Sequence, residues 1–464
     1  MSKMSVLSKS PQGLARIPDL KSDPANFQKS LDYLRTPLIY NLFPRLAGSC
    51  DHWVSHATRA ASMGFNWIYI NPVTYPGFSG SLYSTKEYGR LNPIFVPPAS
   101  QSQALDVLKP VLREMGDLGL HPMVDLVINH TAIDSPLIHE HPAWFQWDSD
   151  GHVQNPFTGD PNDPSLTTVW GDLAIVDNGS SSDPAGLWQF WTDLVLRYLD
   201  LGFHGFRCDA AYQVPAELWR VLIHEAWKVN PNAVFWAENL GCTIDQTRAL
   251  RAAGFQFFCN NSKWWNFQDA WCLDQHREFE DVPSISFPET HDTDRLAHDT
   301  NGLEMIQRQR YAFASTFSAG VMMPIGYEFG FQKRLHVVDT QPSDWEARTM
   351  DVQQFVQAVN ETKLNTPLLQ GEGTLNRVDV GHPSLLVLSR ESEYAPGQTG
   401  WIVLNRDWEH AGDLAIHELT GMGRAIQVVD LSRADLCRPE SLAGSSLKIE
   451  PAGVVFLYQG KQLV

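Results

Sequence analysis

Short apolar runs recur along the first 365 residues, each about the length of a strand. In order they are "PLIYNLF" near 39, "WIYINP" near 68, "PMVDLVINH" near 125, "GFRCD" near 207, "VFWAEN" near 236, "FQFFCN" near 257, "SISFPETHD" near 287 and "GVMMPIG" near 323. The stretches between them, such as "SQALDVLKPVLREMGDLGL", "GLWQFWTDLVLRYLDLGF", "PAELWRVLIHEAW" and "RQRYAFASTFSAG", place apolar residues at helical spacing. Eight strands alternating with helices predict an α/β protein built on a closed parallel (β/α)8 barrel. One interval breaks the rhythm: residues 131–183 are rich in Pro, Gly, Asp and aromatics and too long for a simple loop. They predict a subdomain inserted after the third strand. Beyond about residue 366, "SLLVLSRES", "TGWIVLNRD", "DLAIHEL", "AIQVVDL", "SLKIEP" and "GVVFLYQG" are short runs separated by turn residues, which predict an antiparallel β domain of sandwich type. The expected division is 1–130 with 184–365 for the barrel, 131–183 for the insertion and 366–464 for the C-terminal domain.

Charge falls at particular places in this pattern. The fourth run lies in "GFHGFRCDAA" (202–211) and stops on Arg207 and Asp209, which strand alternation aims the same way. A buried ion pair is weak evidence for stability, since desolvation offsets the attraction, so a site is the stronger reading. Asp125, Asp209, Glu238 and Asp292 all stand at or just past the ends of predicted barrel strands, the third, fourth, fifth and seventh. Any one of them could be a helix cap or a satisfied buried acid. Four around one opening, at the face where such barrels hold their chemistry, suit cleavage of a glycosidic bond.

Composition narrows the partners. With 35 basic and 53 acidic residues the 464-residue chain carries a net charge of -18, which disfavours nucleic acid and anionic membrane and favours a neutral small-molecule substrate. The N-terminal residues lack the apolar core of a signal peptide and no run reaches the length of a membrane span, so a cytoplasmic location is expected. Six scattered cysteines without a CxxC suggest neither a zinc site nor a disulfide framework.

The motifs carry a resemblance. "DLVINH" (125–130), "GFRCDAA" (205–211), "WAEN" (236–239) and "ETHD" (289–292) resemble, in order, the four signature regions of the α-amylase family, glycoside hydrolase family 13. "GFNWIYINPV" (64–73) is similar to the family's second-strand region, and "LYSTKEYGRLNP" (82–93) to its segment with a substrate-stacking tyrosine, here Tyr83. The resemblance implies a retaining mechanism on an α-glucosidic bond, with Asp209 as nucleophile, Glu238 as general acid and base, and Asp292 as the third carboxylate gripping sugar hydroxyls. Asp125, His130, Arg207 and His291 would complete the substrate site. Physical reasoning agrees: the guanidinium of Arg207 favours an ionised Asp209, while the apolar "VFWA" before Glu238 favours a protonated carboxyl. His130 and His291 could donate N–H groups to hydroxyls, and Tyr83 could offer an aromatic face.

Departures from the family pattern shape the substrate expectation. Tyr212 and Gln213 stand where polymer-cleaving amylases commonly have a Lys-His pair on the leaving-group side, and Thr290 replaces an asparagine. Asn129 and Asp172 remain as oxygen donors near the family's calcium position, too few to infer calcium, so no cofactor is expected. Trp264, Trp265 and Trp271 in "NSKWWNFQDAW" suit a pocket wall or helix packing. The expected activity is hydrolysis of a small α-glucoside, glucosylglycerol being one candidate, by an exo-acting α-glycosidase. The alternative is a glucosyl or maltosyl transferase or phosphorylase of the same family, which shares nucleophile and acid/base. The intact acids disfavour a non-catalytic binding or transporter subunit.

Overall fold

Each of the eight apolar runs forms a strand, and every strand pairs in parallel with its neighbours to close a barrel. The computed structural model describes residues 32–159, 167–420, 426–432, 437–442 and 444–459. The strands are β1 (Leu38–Leu42), β2 (Trp67–Ile70), β3 (His121–Leu126), β4 (Gly205–Cys208), β5 (Val234–Ala237), β6 (Phe257–Cys259), β7 (Ser284–Ser286) and β8 (Gly320–Pro324). Neighbours in space are neighbours in sequence, and β8 closes on β1.

The runs are apolar throughout because both faces are buried. Ile39, Trp67, Tyr69, Met123, Val234, Trp236 and Phe257 fill the barrel. The alternate residues, among them Tyr40, Ile68, Val124, Phe206 and Phe235, pack outward against the helices. Gly205 starts β4 where space is short: a Cβ there would come within about 3.1 Å of Trp67, Met123 and the Val234 carbonyl. The helix Pro184–Leu201, which leads into β4, begins with Asp183 accepting from the Gly186 N–H and a proline in its first turn. It ends at Gly202, whose φ of 110° a residue with a side chain would resist.

Between β3 and that helix, residues 130–132 pair with 173–175 and residues 157–159 with 167–169, both antiparallel. Residues 160–166 of the insertion lie outside the described residues. A bulged hairpin, Thr74–Pro76 with Thr85–Leu91, projects between β2 and β3 and carries Tyr83 in its turn. The C-terminal part forms an antiparallel six-stranded sheet, with a separate two-stranded pair of Gly412–Ala415 and Ser446–Ile449. Among the described residues, no helix is long and apolar enough to cross a membrane.

Candidate active site

Period-two alternation puts Asp125, Arg207 and the residues just past β4 and β5 on the barrel's inner side, at the C-terminal ends of the strands. Arg207 organises them. Its Nη1 donates to Asp125 Oδ1 at 2.8 Å and to Asp209 Oδ1 at 2.6 Å, and its Nη2 stands 4.0 Å from Glu238 Oε2. The arginine at this strand end is thus shared among three carboxylates. Asp209 is the more accessible of the pair at 13% side-chain exposure, against 6% for Arg207.

Glu238 is fixed by backbone donors rather than by a lysine or a second arginine. The Ala210 N–H donates to Oε2 at 2.9 Å and the Leu240 N–H to Oε1 at 2.7 Å. Burial raises its pKa to about 7, with the charge of Asp209 adding to the rise and Arg207 and the two N–H groups opposing it. Ala210, which follows Asp209 and donates to Glu238, sits at φ 39°, the left-handed region that a side chain disfavours. Burial also pushes Asp125 upward, against the pull of Arg207.

The loop after β7 contributes from further out. Asp292 lies six residues past the strand with its side chain 59% exposed, and its Oδ2 is 3.0 Å from His291 Nε2. His291, Arg207 and Arg334 bring this carboxyl down to about 2. A buried pair holds the loop: Arg295 Nη1 donates to Glu289 Oε1 at 2.7 Å, and the Leu296 N–H to Glu289 Oε2 at 2.6 Å. Thr290 supplies a local bond, its Oγ1 accepting from the Asp292 N–H at 3.2 Å.

Tyr83 OH donates to Asp125 Oδ2 at 2.7 Å and lies 2.7 Å from His291 Nε2. Its ring lies nearly parallel to that of His291, planes 4° apart and centroids 5.7 Å apart, displaced sideways so that the hydroxyl meets Nε2. His130 is also partly engaged: one ring nitrogen lies 3.1 Å from the Tyr83 carbonyl, and burial lowers the pKa of the ring. All eight anticipated residues, Tyr83, Asp125, His130, Arg207, Asp209, Glu238, His291 and Asp292, thus fall in one cluster.

Two residues of this cluster were missed by sequence reasoning. Tyr69 OH donates to Asp125 Oδ2, and Asn71 Nδ2 reaches the hydroxyls of Tyr69 and Tyr83 at 3.0 Å each. Alternation from Trp67 along "WIYINP" was the available signal, since it turns Tyr69 inward at the height of Asp125. Trp265 is core, packed among Phe267, Phe313 and Phe317, whereas Trp264 is half exposed. A cavity of about 750 Å³ between barrel and C-terminal sheet, lined by Glu280, Glu391 and Glu393 among others, contains none of the cluster. Asn129 Nδ2 donates to Gln213 Oε1 at 3.0 Å, and among the described residues no group of three or more His, Cys, Asp or Glu could hold a metal.

Residues 35–154 match the family model described as the glucanotransferase domain of glycogen debranching enzyme. A curated α-1,4-glucan:maltose-1-phosphate maltosyltransferase from Burkholderia pseudomallei is 24% identical over 82% of this chain and 34% of its own length. One from Salinibacter ruber is 24% identical over 77% of this chain and 58% of its own. The chain therefore spans about a third to somewhat over half the length of these relatives. The crystal structure of an α-amylase from Lactobacillus plantarum superposes with a TM-score of 0.71 at 20% identity, covering 92% of this chain and all of that one. Fold and site together define a (β/α)8-barrel enzyme. In its barrel fold and in the order of its site residues the chain resembles the α-amylase family, glycoside hydrolase family 13.

The expected hydrolysis of a small α-glucoside is corrected by these relatives, which are named as transferases throughout. The physical reason is plain. One nucleophile and one acid/base serve water and sugar acceptors alike, so the residues that revealed the family could not tell its reactions apart, and Tyr212 and Gln213 were read as a sign of substrate size.

Proposed function

We propose that this chain is a retaining α-glycosyl transferase that moves a glucosyl or maltosyl unit to a carbohydrate hydroxyl. Asp209 attacks the anomeric carbon, the bond from that carbon to the leaving oxygen breaks, and the Glu238 proton passes to that oxygen. The acceptor hydroxyl then attacks the same carbon, its proton passes to Glu238, and the ester bond to Asp209 breaks to restore the carboxylate. Arg207 stabilises the ionised nucleophile in both steps, and Asp292 and His291 bind hydroxyls of the transferred unit.

The observation that carries the reading is a single guanidinium set between Asp209 at 2.6 Å and a Glu238 whose carboxyl is raised to about 7. One carboxylate is held for attack while the other keeps a proton to give. The names of the curated relatives support a sugar rather than water as acceptor. Incubation with maltoheptaose tests it. Chains both longer and shorter than the starting sugar, with little net gain of reducing ends, are expected. A gain of one reducing end for every bond broken would mean that water is the acceptor and the reading is wrong.

A further inference from the structure

Asp292 is the most exposed carboxylate of the site, and it stands on a loop rather than on a strand end, so its place depends on what holds that loop. Its own neighbours hold it only from within: His291 meets its carboxylate, and the Thr290 hydroxyl accepts from its N–H. The buried Glu289–Arg295 pair fixes the base of the loop but does not reach Asp292. Arg334 does, from the loop after β8. Its Nη2 donates to the Asp292 carbonyl at 2.5 Å, and its Nη1 stands 3.5 Å from Asp294 Oδ1, so one guanidinium spans residues 292–294.

The loop that carries Arg334 is braced. The Glu346 carboxylate accepts from the Gln332 N–H at 3.1 Å and from the Lys333 N–H at 2.8 Å, Lys333 Nζ pairs with Asp344, and the Lys333 carbonyl accepts from Arg295 Nε at 3.2 Å. The guanidinium is therefore presented from a fixed base. Two donors at a fixed angle set a direction as well as a distance, which the point charge of a lysine does not. Arg334 is 56% exposed, and an ion pair at that exposure adds little to stability. What sets it apart from the other surface pairs is the bond to the backbone of a site residue.

We propose that Arg334 is a positioning residue, which keeps the Asp292 carboxylate within reach of the transferred sugar's hydroxyls and acts through Asp292 rather than on the reacting atoms. The inference rests on the reading of Asp292 as a sugar ligand, and Arg334→Ala tests it with and without turnover. In the free protein, exchange of the amides of residues 291–294 with heavy water is expected to quicken on the order of tenfold, while those of β7 and the helix Glu304–Phe317 keep their protection. Unchanged exchange at 291–294, or a rise throughout the barrel, would overturn the inference. With α-maltosyl fluoride, a donor that needs no proton on its leaving group, kcat is expected to fall at least about tenfold and KM to move less than about threefold, because the grip on hydroxyls counts most in the transition state. Guanidinium ion, far below concentrations that unfold proteins, is expected to restore part of that kcat, and methylammonium ion at the same concentration to restore none. A loss carried by KM, or one that guanidinium does not relieve, would overturn it as well. Absence of fluoride release from the unsubstituted protein would instead sink the glycosyl-transfer reading, and the exchange result would still decide whether Arg334 holds Asp292.

Discussion

Three carboxylates share one arginine at this site, and their differing surroundings divide the work. Asp209 hydrogen-bonds to Arg207, so Asp209→Asn removes both charge and nucleophile. It is expected to lower transfer on the order of 10³-fold or more in a protein of unchanged circular dichroism. A folded variant with near-normal turnover would exclude Asp209 from the role. Glu238 must be protonated to release a poor leaving group, and its carboxyl is raised to about 7. Below that pH the acid form dominates. Above it, kcat/KM for oligosaccharide donors should fall roughly tenfold per pH unit, while a donor with a good leaving group is less affected. Glu238→Gln should erase that alkaline limb and hurt oligosaccharides far more than the fluoride. Equal losses on both would argue against Glu238 as the acid.

At the scale of the element, the site depends on how closely β4 can approach its neighbours. Gly205 leaves no room for a side chain between Trp67, Met123 and the Val234 carbonyl, and Arg207 and Asp209 follow on the same strand face. Gly205→Ala is expected to cost about 1–3 kcal/mol in urea unfolding and to reduce turnover as well, because displacing β4 displaces the nucleophile. An unchanged unfolding midpoint would show the strand to be slack. All eight barrel strands were legible in the sequence, since burial on both faces leaves an unbroken apolar signature. The signature acids were legible too, because each strand ends where apolar residues give way to charge. Tyr69 and the Glu289–Arg295 pair were not: a tyrosine in an apolar run looks like packing, and an ion pair formed across a loop has no periodicity. The hairpin carrying Tyr83 was hidden for another reason, its register shifting twice over three residue pairs. The acceptor was not legible at all, because water and sugar need the same two carboxyls.

For the whole molecule, the junction between barrel and C-terminal sheet is a polar one at the end away from the site. Lys363, 1% exposed, donates to the carbonyls of Ser315, Ser318 and Leu369 at 2.6 to 2.9 Å. Arg390, fully buried, donates to those of Phe317, Leu368, Gly371 and Glu372. The Glu372 carboxylate in turn accepts from the Ser284 N–H at the start of β7 and from the Ala319 N–H just before β8. Arg390→Met would strand four buried carbonyls, and a loss of at least about 3 kcal/mol is expected in chemical unfolding. A change below about 1 kcal/mol would mean that the sheet is held by its apolar contacts alone. The central claim concerns the covalent carrier and its acceptor, and one trapping measurement reaches both. Glu238→Gln charged with α-maltosyl fluoride should gain the mass of one maltosyl unit, and proteolysis should map it to the peptide containing Asp209. In the unsubstituted protein, where Glu238 can take the acceptor's proton, maltotriose should draw the maltosyl unit of the same fluoride into maltopentaose faster than water releases maltose. An adduct on another residue, no adduct while fluoride is released, or discharge by water at the same rate would contradict the account.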